Sequence, residues 1–126
     1  MNTDHENNPT PVSVDLAYLN EFSGGDKGFI REIIQTFLEE APGNIARLSE
    51  GLGQEDWDTV YRAAHQLKPN YMMLGMSAQQ EAALSIEKLA KTKPHKTEID
   101  DMITQLVADT QKAFPLLEEK LSELGT

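Results

Sequence analysis

The sequence contains no cysteine, and this absence excludes two kinds of site. Without thiols the chain forms neither disulfide bonds nor zinc sites with thiolate ligands. It also lacks any apolar run that approaches the roughly 20 residues needed to cross a bilayer. Its first residues, MNTDHENNPTPVS, have no apolar segment of the kind that secretory signals carry. We therefore expect a cytoplasmic protein with no membrane partner.

Positive charge is also scarce, because 11 lysines and arginines face 21 aspartates and glutamates, for a net charge of −10. Such a surface repels phosphate backbones, so we expect no nucleic-acid partner. Glycine-rich phosphate-binding loops and the GxSxG motif are both missing, which argues against nucleotide binding by a P-loop and against acyl transfer. His5, His65 and His95 form no pair at i, i+4, so no metal site is expected.

The apolar residues that remain follow helical spacing, and no segment shows sustained period-two alternation. A chain of 126 residues predicts a single domain. Residues 1–13 are polar and are predicted to be a disordered lead, so that the domain occupies residues 14–126. We expect an all-α fold, in which four main amphipathic helices form an antiparallel, up-down-up-down bundle with a short extra N-terminal helix.

Capping residues and glycines delimit these helices. The first helix is predicted to run from Asp15 to Gly24 and Gly25, the second from Asp26 to Gly51 and Gly53, and the third from Asp56 to Gly75. The fourth is predicted to begin at a capping box of Ser77 with Gln80, and the last at Thr97 with Asp100. Three prolines fall inside the pattern. Pro42 is expected to bend or split the second helix, while Pro69 and Pro115 are expected to kink the third and the last.

His65 is the candidate functional residue because of where the third helix points it. At 100° per residue, one arc of this helix holds the core positions Val60, Ala64, Leu67, Tyr71 and Leu74. His65 lies roughly 140° from the centre of that arc and faces outward. Its face is shared by Tyr61, Arg62, Lys68, Pro69 and Met72, and by Met76 if the helix continues that far. Apolar groups around a polar centre are typical of a docking surface.

Simpler interpretations stay open at this point. A histidine in a helical domain is more often a plain surface or core residue than a reactive one. Lys68 and Arg62 are equally compatible with solvated surface charges. The methionines of this region are compatible with core filling, which we expect for Met73.

The segment AHQLKPNYMMLG resembles the signature of histidine-containing phosphotransfer (HPt) domains, in which His-x-Leu-Lys is followed by small residues and then Leu-Gly. His65, Leu67, Lys68, Leu74 and Gly75 occupy the matching positions. The preceding stretches FLEEAP and GLGQEDWDTVYRAAH are also similar to that family, and the likeness covers residues 14–124. The sequence departs from the pattern at Pro69, where the family commonly has glycine.

The resemblance implies a four-helix bundle that relays phosphoryl groups in two-component signal transduction. By this likeness His65 is the phosphoacceptor, which takes the group from an aspartyl phosphate of a receiver domain and passes it to another receiver. Lys68 would stabilise the phosphoryl charge, and Tyr61, Arg62, Pro69, Met72 and Met76 would dock the partner. We expect no autonomous catalysis, a monomer, and no cofactor of its own, because the receiver brings Mg²⁺. The alternative is a helical adaptor or inhibitor that binds a receiver or kinase by the same face without being phosphorylated.

Overall fold

The computed structural model describes residues 12–125, which form five α-helices and, within that range, no strand. The helices are α1 (Ala17–Ser23), α2 (Lys27–Gln54), α3 (Trp57–Met73), α4 (Ser77–Ala90) and α5 (Lys96–Gly125). The all-α prediction is therefore confirmed. Most of the lead expected at residues 1–13 lies outside the described residues, and Val12 already packs against the core.

Helices α2 to α5 form the bundle, in which each helix packs against the next and α5 packs back against α2. The short α1 lies against α2. The apolar stripes that define the helices meet in one core, because each buries its face against two neighbours. On α2 this stripe consists of Ile30, Ile34, Phe37, Ala41, Ile45 and Leu48, and on α3 of Val60, Ala63, Ala64, Leu67 and Tyr71.

All three internal prolines are accommodated within continuous helices, so α2 is not split at Pro42. Each proline removes one backbone N–H and frees the carbonyl four residues earlier. Pro42, Pro69 and Pro115 are all exposed. The lost bonds therefore fall on the solvent side of each helix, and the buried side keeps its packing.

The predicted caps are correct for two of the long helices. Asp26 accepts a hydrogen bond from the N–H of Phe29 at 3.2 Å, and Asp56 accepts one from the N–H of Thr59 at 3.2 Å. Gly24 ends α1 in the left-handed conformation, with φ 68°. The predicted start of the last helix is wrong: α5 begins at Lys96, and it is Glu98 that accepts from the N–H of His95 at 2.9 Å.

The expected end of α2 at Gly51 and Gly53 is also wrong, because the helix continues to Gln54. Gly51 is buried inside the helix, where an added Cβ would lie 2.8 Å from Cγ2 of Val60. The glycine therefore serves the close approach of α2 to α3, and the reversal takes place at Glu55, with φ 55°.

The corner between α3 and α4 corrects the placement of Met76. Gly75 adopts a left-handed conformation with φ 71°, and the N–H of Met76 donates to the carbonyl of Tyr71 at 2.9 Å. A second bond joins the N–H of Gly75 to the carbonyl of Met72 at 3.2 Å, which completes a Schellman motif. The chain thus turns inward after Gly75, and Met76 is only 1% exposed.

The capping box predicted for α4 is not formed at this corner. Met76 is the residue that precedes the helix, and no side chain caps its first turn. Ser77 lies one position inside the helix, so its hydroxyl does not take the N-cap position that a capping box requires.

Tyr71 packs inward, as the helical arc predicts. Its side chain is fully buried, and its hydroxyl forms a hydrogen bond of 2.7 Å with the hydroxyl of Thr110 on α5. Burial raises the pKa of Tyr71 and outweighs the opposing effect of this bond. The ring also makes an edge contact with Phe37 of α2, at 6.2 Å between centroids. Tyr71 therefore connects α3 to both α2 and α5.

We expect Leu67→Ala to lower the free energy of unfolding by about 2–5 kcal/mol, because the leucine is fully buried and its removal leaves a cavity. Gln66→Ala is the matched control, since Gln66 is the exposed neighbour on the same turn. Urea denaturation followed by circular dichroism measures both changes. Equal stability of the two variants would contradict the assignment of Leu67 to the core.

Candidate functional site

His65 projects from the exposed face of α3, as the helical arc predicts. Its side chain is 60% exposed, while its neighbour Ala64 is fully buried. The backbone of this turn is held by the buried residues Ala63, Ala64 and Leu67, so the imidazole stands on a rigid element. The ring is accessible to another protein.

One carboxylate organises the site. Glu87 of α4 places Oε2 at 2.5 Å from Nδ1 of His65 and Oε1 at 2.7 Å from Nζ of Lys68. The Glu87 side chain is only 7% exposed, and the Lys68 side chain is 27% exposed. His65 and Lys68 are one turn apart on α3, so a single carboxylate on the antiparallel neighbour reaches both.

The contact with Glu87 determines which imidazole nitrogen is available. An ionised carboxylate only accepts hydrogen bonds, so Nδ1 of His65 must carry the proton and donate it. In the neutral imidazole this leaves Nε2 with its lone pair. The exposed nitrogen is therefore the nucleophilic one, and the partly buried nitrogen is the one that holds the ring in position.

The pKa of Glu87 lies below the ordinary glutamate value. Burial raises this pKa, but the hydrogen bonds and positive charges of Lys68 and His65 lower it by more. The carboxylate is therefore ionised at neutral pH despite its burial. Its interaction with the two α3 residues favours the charged form.

This lowered pKa predicts how stability depends on pH. The contribution of Glu87 is fully present above the ordinary value of 4.5 and is lost as the pH falls through the lower folded-state pKa. The difference in unfolding free energy between wild type and Glu87→Gln should therefore shrink on acidification below about pH 4.5. Urea denaturation of both proteins between neutral pH and pH 3 measures it. A difference that stays constant over this range would contradict the ion-pair assignment.

An aromatic ring and a second lysine complete the surroundings of His65. The Tyr61 ring lies one turn before His65 and is nearly parallel to it, at 11° and 5.9 Å between centroids. Nζ of Lys91, at the end of α4, lies 5.1 Å from the centroid of the same Tyr61 ring. Tyr61 therefore contacts both the imidazole and a cation from the neighbouring helix.

Two grooves flank α3 near His65, and both contain cations. The groove toward α4 is lined by Tyr61, Lys68, Leu84, Glu87, Lys88 and Lys91. The groove on the α2 side is lined by Arg47, Thr59, Arg62, Ala63 and Gln66. Together they hold five of the chain's 11 lysines and arginines. Carboxylates stand beside these cations, since Lys68 pairs with Glu87 and Arg62 with Asp58. A third groove, which His65 itself lines, contains Glu39 and Glu40 together with Arg47.

Four of the five predicted docking residues share the face of His65. Tyr61 is partly buried, Arg62 and Pro69 are exposed, and Met72 is 41% exposed. Arg62 pairs with Asp58 at 3.0 Å on this surface. The prediction for Met76 is wrong because the residue is buried at the α3–α4 corner. For the other four, the docking role remains a proposal.

Sequence reasoning missed Glu87. The acid contacts His65 across 22 residues of chain, a separation that no local pattern reveals. A signal was nevertheless present, because Glu87 follows Ala83 by four residues and precedes Ala90 by three, which places it on the buried stripe of α4. A charged residue on an apolar stripe requires a partner, and that requirement points to a polar site.

Neither a metal cluster nor a membrane span is found in the described part of the chain. Residues 12–125 contain no group of three or more metal-binding side chains. Over the same residues, every helix is too short or too polar for a bilayer.

Comparisons with known proteins identify the family to which the chain belongs. A family model for the Hpt domain matches residues 32–124, so the chain belongs to the Hpt domain family. The fold is similar to the HPT domain from a sensor hybrid histidine kinase of Shewanella, with a TM-score of 0.80 and 18% identity, covering 90% of this chain and 97% of that chain. No curated protein sequence matches. Family and fold support a phosphocarrier role in two-component signalling, with receiver domains as the kind of partner.

Proposed function

We propose that His65 accepts a phosphoryl group from the aspartyl phosphate of one receiver domain and passes it to the aspartate of another. The observation that supports this most directly is an exposed imidazole whose inner nitrogen is bound by a buried carboxylate. This arrangement leaves the outer nitrogen free, aligned and accessible. Phosphoryl transfer requires mainly alignment and charge stabilisation, and the contact with Glu87 supports the alignment.

In the forward step, Nε2 of His65 attacks the phosphorus of the acyl phosphate. The bond between phosphorus and the aspartate oxygen breaks, its electron pair remains on the aspartate carboxylate, and a bond forms between phosphorus and Nε2. Nδ1 keeps its proton, so the ring becomes positively charged. Glu87 faces this charge from 2.5 Å and stabilises it, as the aspartate of a Ser-His-Asp triad stabilises its imidazolium.

The chain supplies only one side of this reaction. The receiver brings the aspartyl phosphate and Mg²⁺, while this protein supplies the nucleophile, the carboxylate that orients it and the surrounding cations. Reversal of the same step delivers the group to the next receiver. We therefore propose a phosphocarrier that performs no catalysis without a partner.

The test is transfer from receivers of the source organism phosphorylated with a radioactive label. The expected result is label on the wild-type chain that is lost in acid and retained in alkali, and that maps by peptide analysis to the segment containing His65. The adaptor alternative predicts binding to a receiver with no label on this chain. Failure of every phosphorylated receiver to label the protein would overturn the proposal.

A further inference from the structure

Lys68 is bound to the carboxylate that contacts Nδ1 of His65, the nitrogen that keeps its proton in the proposed reaction. Its ammonium donates to Oε1 of Glu87, and the other oxygen of the same carboxylate contacts Nδ1. The lysine charge is therefore compensated by Glu87 beside Nδ1, whereas the phosphoryl group is proposed to form at Nε2. Since Lys68 shares its charge with Glu87, a second cation near Nε2 would add to the stabilisation of the phosphoryl oxygens.

Lys91 is a cation that contacts the aromatic neighbour of His65. It lies one turn after Glu87, and its Nζ is 5.1 Å from the centroid of the Tyr61 ring that stacks on His65. Among residues 12–125, no carboxylate forms an ion pair with Lys91. Its side chain is exposed, and its ammonium lies over the Tyr61 ring.

We propose that Lys91 rests over Tyr61 in the unphosphorylated protein and pairs with the phosphoryl group when His65 is modified; this rests on the proposed function of His65. A cation–π contact at an exposed ring is weak, whereas an ammonium and a phosphoryl oxygen form a short, charge-assisted hydrogen bond. The flexible four-carbon stem lets the ammonium move between the two positions. Tyr61 keeps the cation near the ring before the phosphate arrives.

The test uses phosphoramidate, a small phosphoryl donor, so that no receiver is needed. Nε2 forms a bond to phosphorus while ammonia leaves with the electron pair of the broken P–N bond. The chain carries His5→Gln and His95→Gln so that His65 is the one histidine available. Lys91→Gln is expected to slow phosphorylation roughly 3- to 10-fold, as loss of one nearby charge predicts, and Lys91→Arg to restore it. The wild-type advantage should disappear at high salt.

A matched variant removes the same charge nearby. Lys93 is exposed and lies in the turn that follows α4. Lys93→Gln is expected to react within about twofold of wild type. A Lys91→Gln rate equal to that of wild type, or an equal loss from Lys93→Gln, would overturn the proposal.

Proton NMR provides a readout that a purely structural role would not change. The ε-methylene protons of Lys91 should resonate upfield in the free protein, because the Tyr61 ring shields them, and should move downfield on phosphorylation. Unchanged Lys91 resonances after complete modification of His65 would also overturn the proposal. Failure of the relay is recognised separately, since phosphoramidate can modify His65 even when no receiver transfers a phosphate.

Discussion

His65→Gln is expected to abolish acceptance of phosphate from every receiver, leaving only background label. Glutamine has no nucleophilic nitrogen, because the amide lone pair is delocalised into the carbonyl. Its N–H can still donate to Glu87, so the buried carboxylate need not lose both of its partners. The measurement is transfer of radioactive phosphate from a phosphorylated receiver to the purified variant.

Two controls define what this loss means. The unfolding free energy of His65→Gln should stay within about 1 kcal/mol of wild type, since the side chain is 60% exposed. Affinity for the receiver should also be largely retained, because the docking face is unchanged. Label that survives the substitution would show that another residue is the acceptor, and loss of binding together with label would show a docking defect instead.

The buried face of each helix was predictable because the spacing of its apolar residues depends only on residues close together in the sequence. The core arc of α3, from Val60 to Leu74, follows from spacing by three and four residues, and all five of its predicted members are buried. The positions at which the chain reverses direction were harder to predict from the sequence. Gly51 and Gly75 look alike in sequence, yet one lies inside a helix against Val60 and the other takes a left-handed turn. The difference arises from tertiary packing, which local patterns do not contain.

The site was predictable only in part, for the same reason. The outward direction of His65 follows from its position on one helix. The placement of Lys68 beside it follows from their spacing of one helical turn. Glu87 and Lys91 belong to α4, and their relation to His65 depends on how two antiparallel helices are aligned. The sequence therefore indicates the proposed nucleophile but not the groups that orient it. The role expected for Lys68 illustrates this, because its ammonium is bound to a carboxylate that sequence reasoning did not include.

Glu87→Leu is expected to lower the rate of phosphoryl transfer roughly 10- to 100-fold, the range for loss of a group that orients a functional histidine. Leucine has a similar volume but accepts no hydrogen bond, so Nδ1 loses its partner and the imidazole can adopt either tautomer. The positive charge that develops on the ring during transfer also loses its counterion. Single-turnover transfer from a phosphorylated receiver measures the rate, and nitrogen NMR of His65 measures the tautomer.

Glu87→Gln separates the two contributions of the carboxylate. Its amide oxygen still accepts from Nδ1, so the tautomer should remain that of wild type, while the negative charge is absent. An intermediate rate with a wild-type tautomer would assign part of the effect to charge and the rest to orientation. If both variants transferred phosphate as fast as wild type, Glu87 would be a structural residue that pairs with Lys68, and the imidazole would need no internal partner to react.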